Sequence, residues 1–261
     1  MVNKILVVGD AHVSTEENLS RFDYANSLIM EKRPDIIVLM GDFVTLNCLS
    51  FWDRDKRKKM EGRRYHDEIA NANKALDMMF HGLHEELLYA RKKKKKRYIP
   101  DIIYLEGNHE DRLNRYLEMD PTFEGQIGIA KDLQLVERGI KWVNYRDYYR
   151  YNGIGFTHIP HNSVRPVSGK YHVFKAMDCS IQSVVYGHTH KLETACRHLP
   201  GMQHLQQVLS CGGFFEEDEE YVDGLITNYW RGLVLLNNYK EGRFDIESYS
   251  LGRLRREYGN F

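Results

Sequence analysis

Five short apolar runs, each broken off by Asp, Asn or His, constrain this 261-residue chain more than any other feature. They read KILVVGDAH from Lys4, DIIVLMGDF from Asp35, DIIYLEGNHE from Asp101, GIGFTHIPH from Gly153 and SVVYGHTH from Ser183. Each apolar part is four to six residues of mostly Val, Ile, Leu, Tyr or Phe, the pattern of strands buried on both faces. A Gly usually follows and allows a tight turn before the polar residues. Carboxyl ends of sheet strands gather at one edge, where α/β proteins bind ligands. Tips far apart in sequence can therefore meet.

The segments between the runs suit crossover helices. Leu19, Phe22, Ala25, Leu28 and Ile29 recur at helical spacing before Pro34 stops the pattern. From 64 to 97 the spacing predicts one long or broken helix, with Ile69, Ala72, Leu76, Met79, Phe80, Leu83 and Leu87 along one stripe. After Gly187 the stretches QHLQQVLSCGG, GLVLLNNY and RFDIESYSL read as strands at hairpin spacing. No internal repeat or linker divides the chain, so it is read as one domain over 1–261. A helical, basic insertion at about 47–97 is expected, placed to cover the strand tips.

Composition excludes several classes. Lys plus Arg and Asp plus Glu both total 37, so global charge points to no partner. The basic stretches 54–64 and 91–97 and the acidic stretch 216–220 read first as solvated faces. The four cysteines are scattered without a CxxC pair, which argues against a disulfide framework or zinc knuckle and suits a reducing cytoplasm. The first apolar run is too short for a signal sequence, and no run approaches membrane-spanning length. The expectation is a soluble cytoplasmic protein with no membrane partner.

The tip residues carry the chemistry. Asp10 with His12, and His188 with His190, stand at i, i+2, so in an extended strand end each pair points one way. With Asp42, Asn108 and His158 they make two carboxylates, four imidazoles and one amide. That set is too large for one tetrahedral zinc ion. It suits two adjacent divalent ions bridged by a carboxylate such as Asp42. Mixed N/O ligation without thiolate fits Mn, and also Fe, Zn, Ni or Co. Two such ions clamp a displacement at phosphorus. His109, beside Asn108, is then a candidate general acid, with Glu110 or Asp111 favouring its protonated form. Arg112 is a candidate phosphate contact.

GDAH, GDF, GNHE, a strand-end His and GHTH, in that order, resemble the motifs of the calcineurin-like metallophosphoesterase family over about residues 4–195. The resemblance implies an α/β fold, a four-layer αββα two-sheet sandwich with a dinuclear metal site at the carboxyl-end edge of the sheets. It implies that Asp10, His12, Asp42 and His190 hold one ion, that Asp42, Asn108, His158 and His188 hold the other, and that His109 is catalytic. The sequence departs from the pattern in two places. His158 is followed by Ile159 rather than Gly, which leaves His161 as a rival ligand, although the strand GIGFT ends at His158. The second motif has no close acidic or amide follower, and Asn47 stays unassigned.

Each feature also has an ordinary explanation. Asn108 and Glu110 can cap a helix, Asp10 and Asp42 can be turn residues, and a strand-end His is commonly a surface residue. Five such coincidences at five strand ends are needed to dismiss the site. His66-Asp67 stands in a helical stretch without the partner motifs of an HD phosphohydrolase. His81, His84, His172, His198 and His204 read as structural or exposed. No Walker A, GxSxG or strand-linked GxGxxG occurs. The expected function is a phosphodiesterase or nuclease acting on nucleic acid or nucleotides. The alternatives are a phosphomonoesterase or protein phosphatase, and an inactive binding scaffold.

Overall fold

The computed structural model describes residues 3–259 apart from 16, 95, 164, 199–204 and 217–226. His204 and most of the acidic stretch 216–220 therefore lie outside the described residues.

The chain begins with β1 (Lys4–Val8), α1 (Ser20–Lys32) and β2 (Ile36–Leu39). A 3-10 turn at Asn47–Leu49 and the short α2 (Arg57–Met60) lead to α3 (Tyr65–Lys93) and β3 (Asp101–Leu105). Next come α4 (Asp111–Met119), α5 (Ile129–Asp132), β4 (Ile140–Val143), β5 (Tyr149–Tyr151) and β6 (Ile154–Thr157). The small pair β7 (His161–Asn162) and β8 (Arg165–Pro166) precedes α6 (His172–Asp178) and β9 (Ser183–Tyr186). The chain finishes with β10 (Leu192–His198), β11 (Leu205–Cys211), β12 (Gly232–Lys240), β13 (Arg243–Ser250) and α7 (Leu251–Tyr258).

Two sheets result, in the orders β13-β12-β1-β2-β3-β4 and β10-β11-β9-β6-β5. Strands β1 to β4 run parallel in the first, and β6, β9 and β11 run parallel in the second. Side chains alternate across each strand. Ile5, Val7, Ile36, Val38, Ile103 and Leu105 face inward and meet Ile154, Phe156, Val185 and Leu209 of the second sheet. Leu6, Val8, Ile37, Leu39, Ile102 and Tyr104 face outward into a core shared with α1, α3 and α7. On the far side, Val184, Tyr186 and Val208 pack on Val173, Ala176 and Met177 of α6. The layers are thus helix, sheet, sheet, helix. Burial on both faces explains why the central strands read as unbroken apolar runs.

The stretch from 64 onward forms a single helix, α3, whose Ile69, Ala72, Ala75, Leu76, Met79 and Leu83 are buried in the outer core. Residues 47–97 thus have two surroundings: α3 lies in a helical layer, and the part before it borders the strand tips. Among the described residues, no helix is long and apolar enough to cross a membrane.

Candidate metal centre

The carboxyl ends of β1, β2 and β3 in one sheet and of β6 and β9 in the other meet at one edge. They bring together Asp10, Asp42, Asn108, His158, His188 and His190, with His12 and His109 beside them. Ligand atoms group as Asp10, His12 and His190, as His12, Asp42 and His109, and as Asp42, His158 and His188, each group within 4.8 Å. Asp42 belongs to two of the groups, as a bridging carboxylate would.

Strand geometry does not aim these side chains. His12, Asp42, His188 and His190 have φ of 46°, 47°, 63° and 55°, the left-handed region that non-glycine residues rarely adopt. The extended i, i+2 geometry expected for Asp10 with His12 and for His188 with His190 is therefore not what forms. The left-handed turns send the second pair apart. His188 Nδ1 lies 3.2 Å from His158 Nε2, while His190 Nε2 lies 3.0 Å from both His12 Nε2 and Asp10 Oδ2. Glycines make the approach possible. A Cβ on Gly107 would stand 2.1 Å from Asp42 Oδ1, and Gly41 has φ of 91°.

Donors and acceptors at the centre are arranged for a cation. His158 Nδ1 is 2.9 Å from Met40 O, and a carbonyl can only accept, so this nitrogen carries the hydrogen. Its Nε2 faces Asn108 Oδ1 at 3.0 Å and Asp42 Oδ2 at 3.3 Å, two acceptors that call for a cation between them or a proton on the nitrogen. Buried Asp10 Oδ2 faces His190 Nε2 without a well-aligned hydrogen bond. The field agrees. Burial would lower the His158 pKa, but the charge and hydrogen bond of Asp42, with the charge of Asp10, push it up to about 10. Burial would raise that of Asp42, yet His158 and His109 hold it well below the usual carboxylate range. His188, by contrast, is lowered to about 4 by burial and by the His158 charge. A site that concentrates positive charge on His158 offers the same stabilisation to a metal cation.

A group that the sequence reading cast differently holds the centre in place. Glu110, fully buried, accepts from the backbone N–H of Asp42, Phe43, Val44 and Gly107 at 2.8–3.1 Å and from Tyr104 OH at 2.8 Å. Burial and the Asp42 charge push its pKa up. The expected pairing of Glu110 with His109 therefore does not occur, because its oxygens are committed to the loop. The carboxylate beside His109 is Asp42, whose Oδ2 lies 3.9 Å from His109 Nε2 and whose Oδ1 accepts from His109 N. No motif position announced Glu110 as a loop anchor. The one signal was a Glu three residues beyond a turn glycine in a buried context.

His109 Nδ1 donates to Thr45 O at 2.7 Å, and Arg112 Nη2 donates to its Nε2 at 3.1 Å. Arg112 Nη1 is bonded to Thr45 O, so the guanidinium orients His109 as well as bordering the cleft. His161 takes no part in these groups. Its Nδ1 bonds Ile159 O, and its ring packs edge-on against Tyr145. His66 is exposed, and His172 is buried between Tyr186 OH and Glu193.

A cleft of about 630 Å³ opens over the centre. His12, Asp42, Asn108, His109, His188 and His190 form its floor, and Asn47, Ser50, Trp52, Asp53, Lys56 and Lys59 form a wall.

A family model described as calcineurin-like phosphoesterase matches residues 3–192. Among solved structures, the chain is similar to the crystal structure of TT1561 of Thermus thermophilus. Identity is 10%, coverage 96% of this chain and 100% of that one, and the TM-score 0.47. It is also similar to purple acid phosphatase PPD1 from yellow lupin (Lupinus luteus) seeds at 11% identity. That match covers 97% of this chain and 52% of the other, with a TM-score of 0.32. No curated protein matches.

Proposed function

The chain belongs to the calcineurin-like phosphoesterase family, and from that premise we propose that it hydrolyses phosphodiesters of nucleotides or nucleic acid at a dinuclear centre. Asp10, His12, Asp42 and His190 hold one divalent ion, and Asp42, Asn108, His158 and His188 hold the other. Manganese is the preferred metal, with Fe, Zn, Ni or Co as substitutes. The observation that carries this reading is the run of three ligand groups, Asp10 with His12 and His190, His12 with Asp42 and His109, and Asp42 with His158 and His188, linked through His12 and Asp42. Such ions supply a hydroxide nucleophile and neutralise phosphoryl charge.

The protein's own groups do the rest. Asn108 Oδ1 and His158 Nε2 stand 3.0 Å apart at the centre, so the two would reach the same ion. His109 Nε2 borders the cleft; once released by Arg112 it takes up a proton from solvent and passes it to the leaving-group oxygen. Because Arg112 donates to that nitrogen, the guanidinium must turn away first, and a phosphoryl oxygen is the acceptor to which it turns. Substrate arrival thus frees Nε2 to take up the proton that it then donates. A diester needs room on both sides of phosphorus, and a cleft of about 630 Å³ supports that choice over a monoester.

The test is a substrate panel with added Mn²⁺: single-stranded DNA and RNA, cyclic nucleotides, a nitrophenyl diester and a nitrophenyl monoester. Diester turnover with about two metal equivalents bound is the expected result. Turnover confined to monoesters overturns the substrate class, and a metal-free active protein overturns the centre.

A further inference from the structure

The wall of the cleft carries a feature that the metal chemistry does not use. Trp52 is 83% exposed and Phe51 51% exposed, although both are large apolar side chains. Their rings meet edge to face at 5.9 Å, and the Arg54 guanidinium lies 4.2 Å over the Phe51 ring. An indole left in water forfeits the stabilisation that burial of its area would bring. The backbone beneath it is nevertheless held firmly. Asp53 accepts from Ser50 Oγ at 3.2 Å and pairs with Lys56 Nζ at 2.7 Å and Lys59 Nζ at 3.0 Å. Buried Glu68 accepts from the N–H groups of Asn47 and Cys48 at the root of the segment. The indole is thus presented rather than left loose.

Charge narrows the occupant. Positions 54–64 hold seven Lys and Arg against two acidic residues, in a chain with no net charge. Trp52, Lys56 and Lys59 border the same cleft as His12, His109 and His190. Of the basic residues at 54–64, Lys56 and Lys59 border the cleft, sharing Asp53, with Arg112 in the same lining, whereas Arg54, Arg57, Lys58 and Arg64 line a neighbouring hollow. A flat aromatic face beside these cations matches a ligand with a planar ring and a phosphate. Base–aromatic stacking next to phosphate contacts is how proteins hold unpaired nucleotides.

We infer that this lip binds the nucleoside part of the substrate: Trp52 stacks on an unpaired base while Lys56 and Lys59 face the phosphates on either side. The inference rests on the phosphodiesterase reading above and supplies its specificity element. Duplex ends and paired bases are excluded, since a paired base keeps its faces stacked on its neighbours.

Two esters with one leaving group make the test: thymidine 5′-(nitrophenyl phosphate) and methyl nitrophenyl phosphate. The wild-type protein with Mn²⁺ prefers the nucleoside ester. In Trp52→Ala that preference falls about 5- to 150-fold, mostly in KM, while the rate on the methyl ester is unchanged. Trp52→Phe keeps most of the preference. An equal loss on both esters, or no wild-type preference, overturns the inference and leaves the phosphodiesterase reading standing. If neither ester turns over, that reading fails, and the inference is decided by binding. A nucleoside monophosphate should then quench indole fluorescence in the wild type and not in Trp52→Phe, and absence of quenching in the wild type overturns it. A single-stranded oligonucleotide preferred over the mononucleoside ester identifies a polymer as the source of the base. The reverse preference identifies a free nucleotide.

Discussion

The floor of the cleft and its wall are built by opposite means. The floor is a set of strand ends from two sheets, buried and cross-linked. Glu110 alone ties Gly107, after β3, to the three residues Asp42, Phe43 and Val44 after β2. The wall is an exposed segment between β2 and α3, held at its root by Glu68 and within itself by Asp53. Both use a buried carboxylate to grip backbone N–H groups, yet only the floor draws on contacts across the whole chain. A reaction centre tolerates little movement of its ligands, whereas a recognition surface must admit and release a substrate. Damage to the floor should therefore abolish chemistry, and damage to the wall should tune affinity.

The sharpest way to break the contrast is Asp42→Asn. It weakens the carboxylate that belongs to two of the three ligand groups, and most of the metal and nearly all turnover should go. Elemental analysis is the measure, and two equivalents retained at normal rate would remove Asp42 from the centre. His158→Ala should behave alike, because its Nε2 faces Asn108 and Asp42. His161→Ala should keep its metal, since that ring is turned onto Tyr145.

Next in size is His109→Ala. Both ions and substrate affinity should remain, while the rate on alkoxide-leaving esters drops roughly 10²–10⁴-fold. A nitrophenyl ester, whose leaving group is stable as an anion, should lose clearly less. Equal losses on the two would assign His109 to stabilising phosphoryl charge instead of donating a proton.

Glu110→Ala tests whether the floor depends on its anchor. Four backbone N–H groups lose their acceptor, each worth about 1–3 kcal/mol when buried and unpaired. A loss of at least about 4 kcal/mol, roughly 8–16 °C in Tm for a chain of this size, is expected by calorimetry. A fall of only a degree or two would mean that water replaces the carboxylate. The smallest effect belongs to the wall. Asp53→Ala removes one ion pair each from Lys56 and Lys59, and KM for a nucleotide ester should change by no more than about fivefold, with kcat intact. A collapse in kcat would show that the wall and floor are one unit.

The apolar runs determined the central strands, because residues buried on both faces must be apolar whatever the connections between them. Asp10, Asp42, Asn108, His158, His188 and His190 were legible for the same reason. A polar residue directly after a buried strand stands at the sheet edge, and a shared parallel direction brings such edges together. Three things were beyond a linear reading. The left-handed φ of His12, Asp42, His188 and His190 exists only where surrounding contacts hold it, since local preference opposes it. The role of Glu110 depends on N–H groups 66 to 68 residues away in sequence. Residues 47–97, read as one covering insertion, divide between a core helix and an exposed wall because the apolar stripe of α3 finds α1 and the first sheet. The basic, aromatic segment before it has no stripe to bury. Periodicity can predict that a helix has a buried face, but which surface covers that face is decided only when the chain has closed on itself.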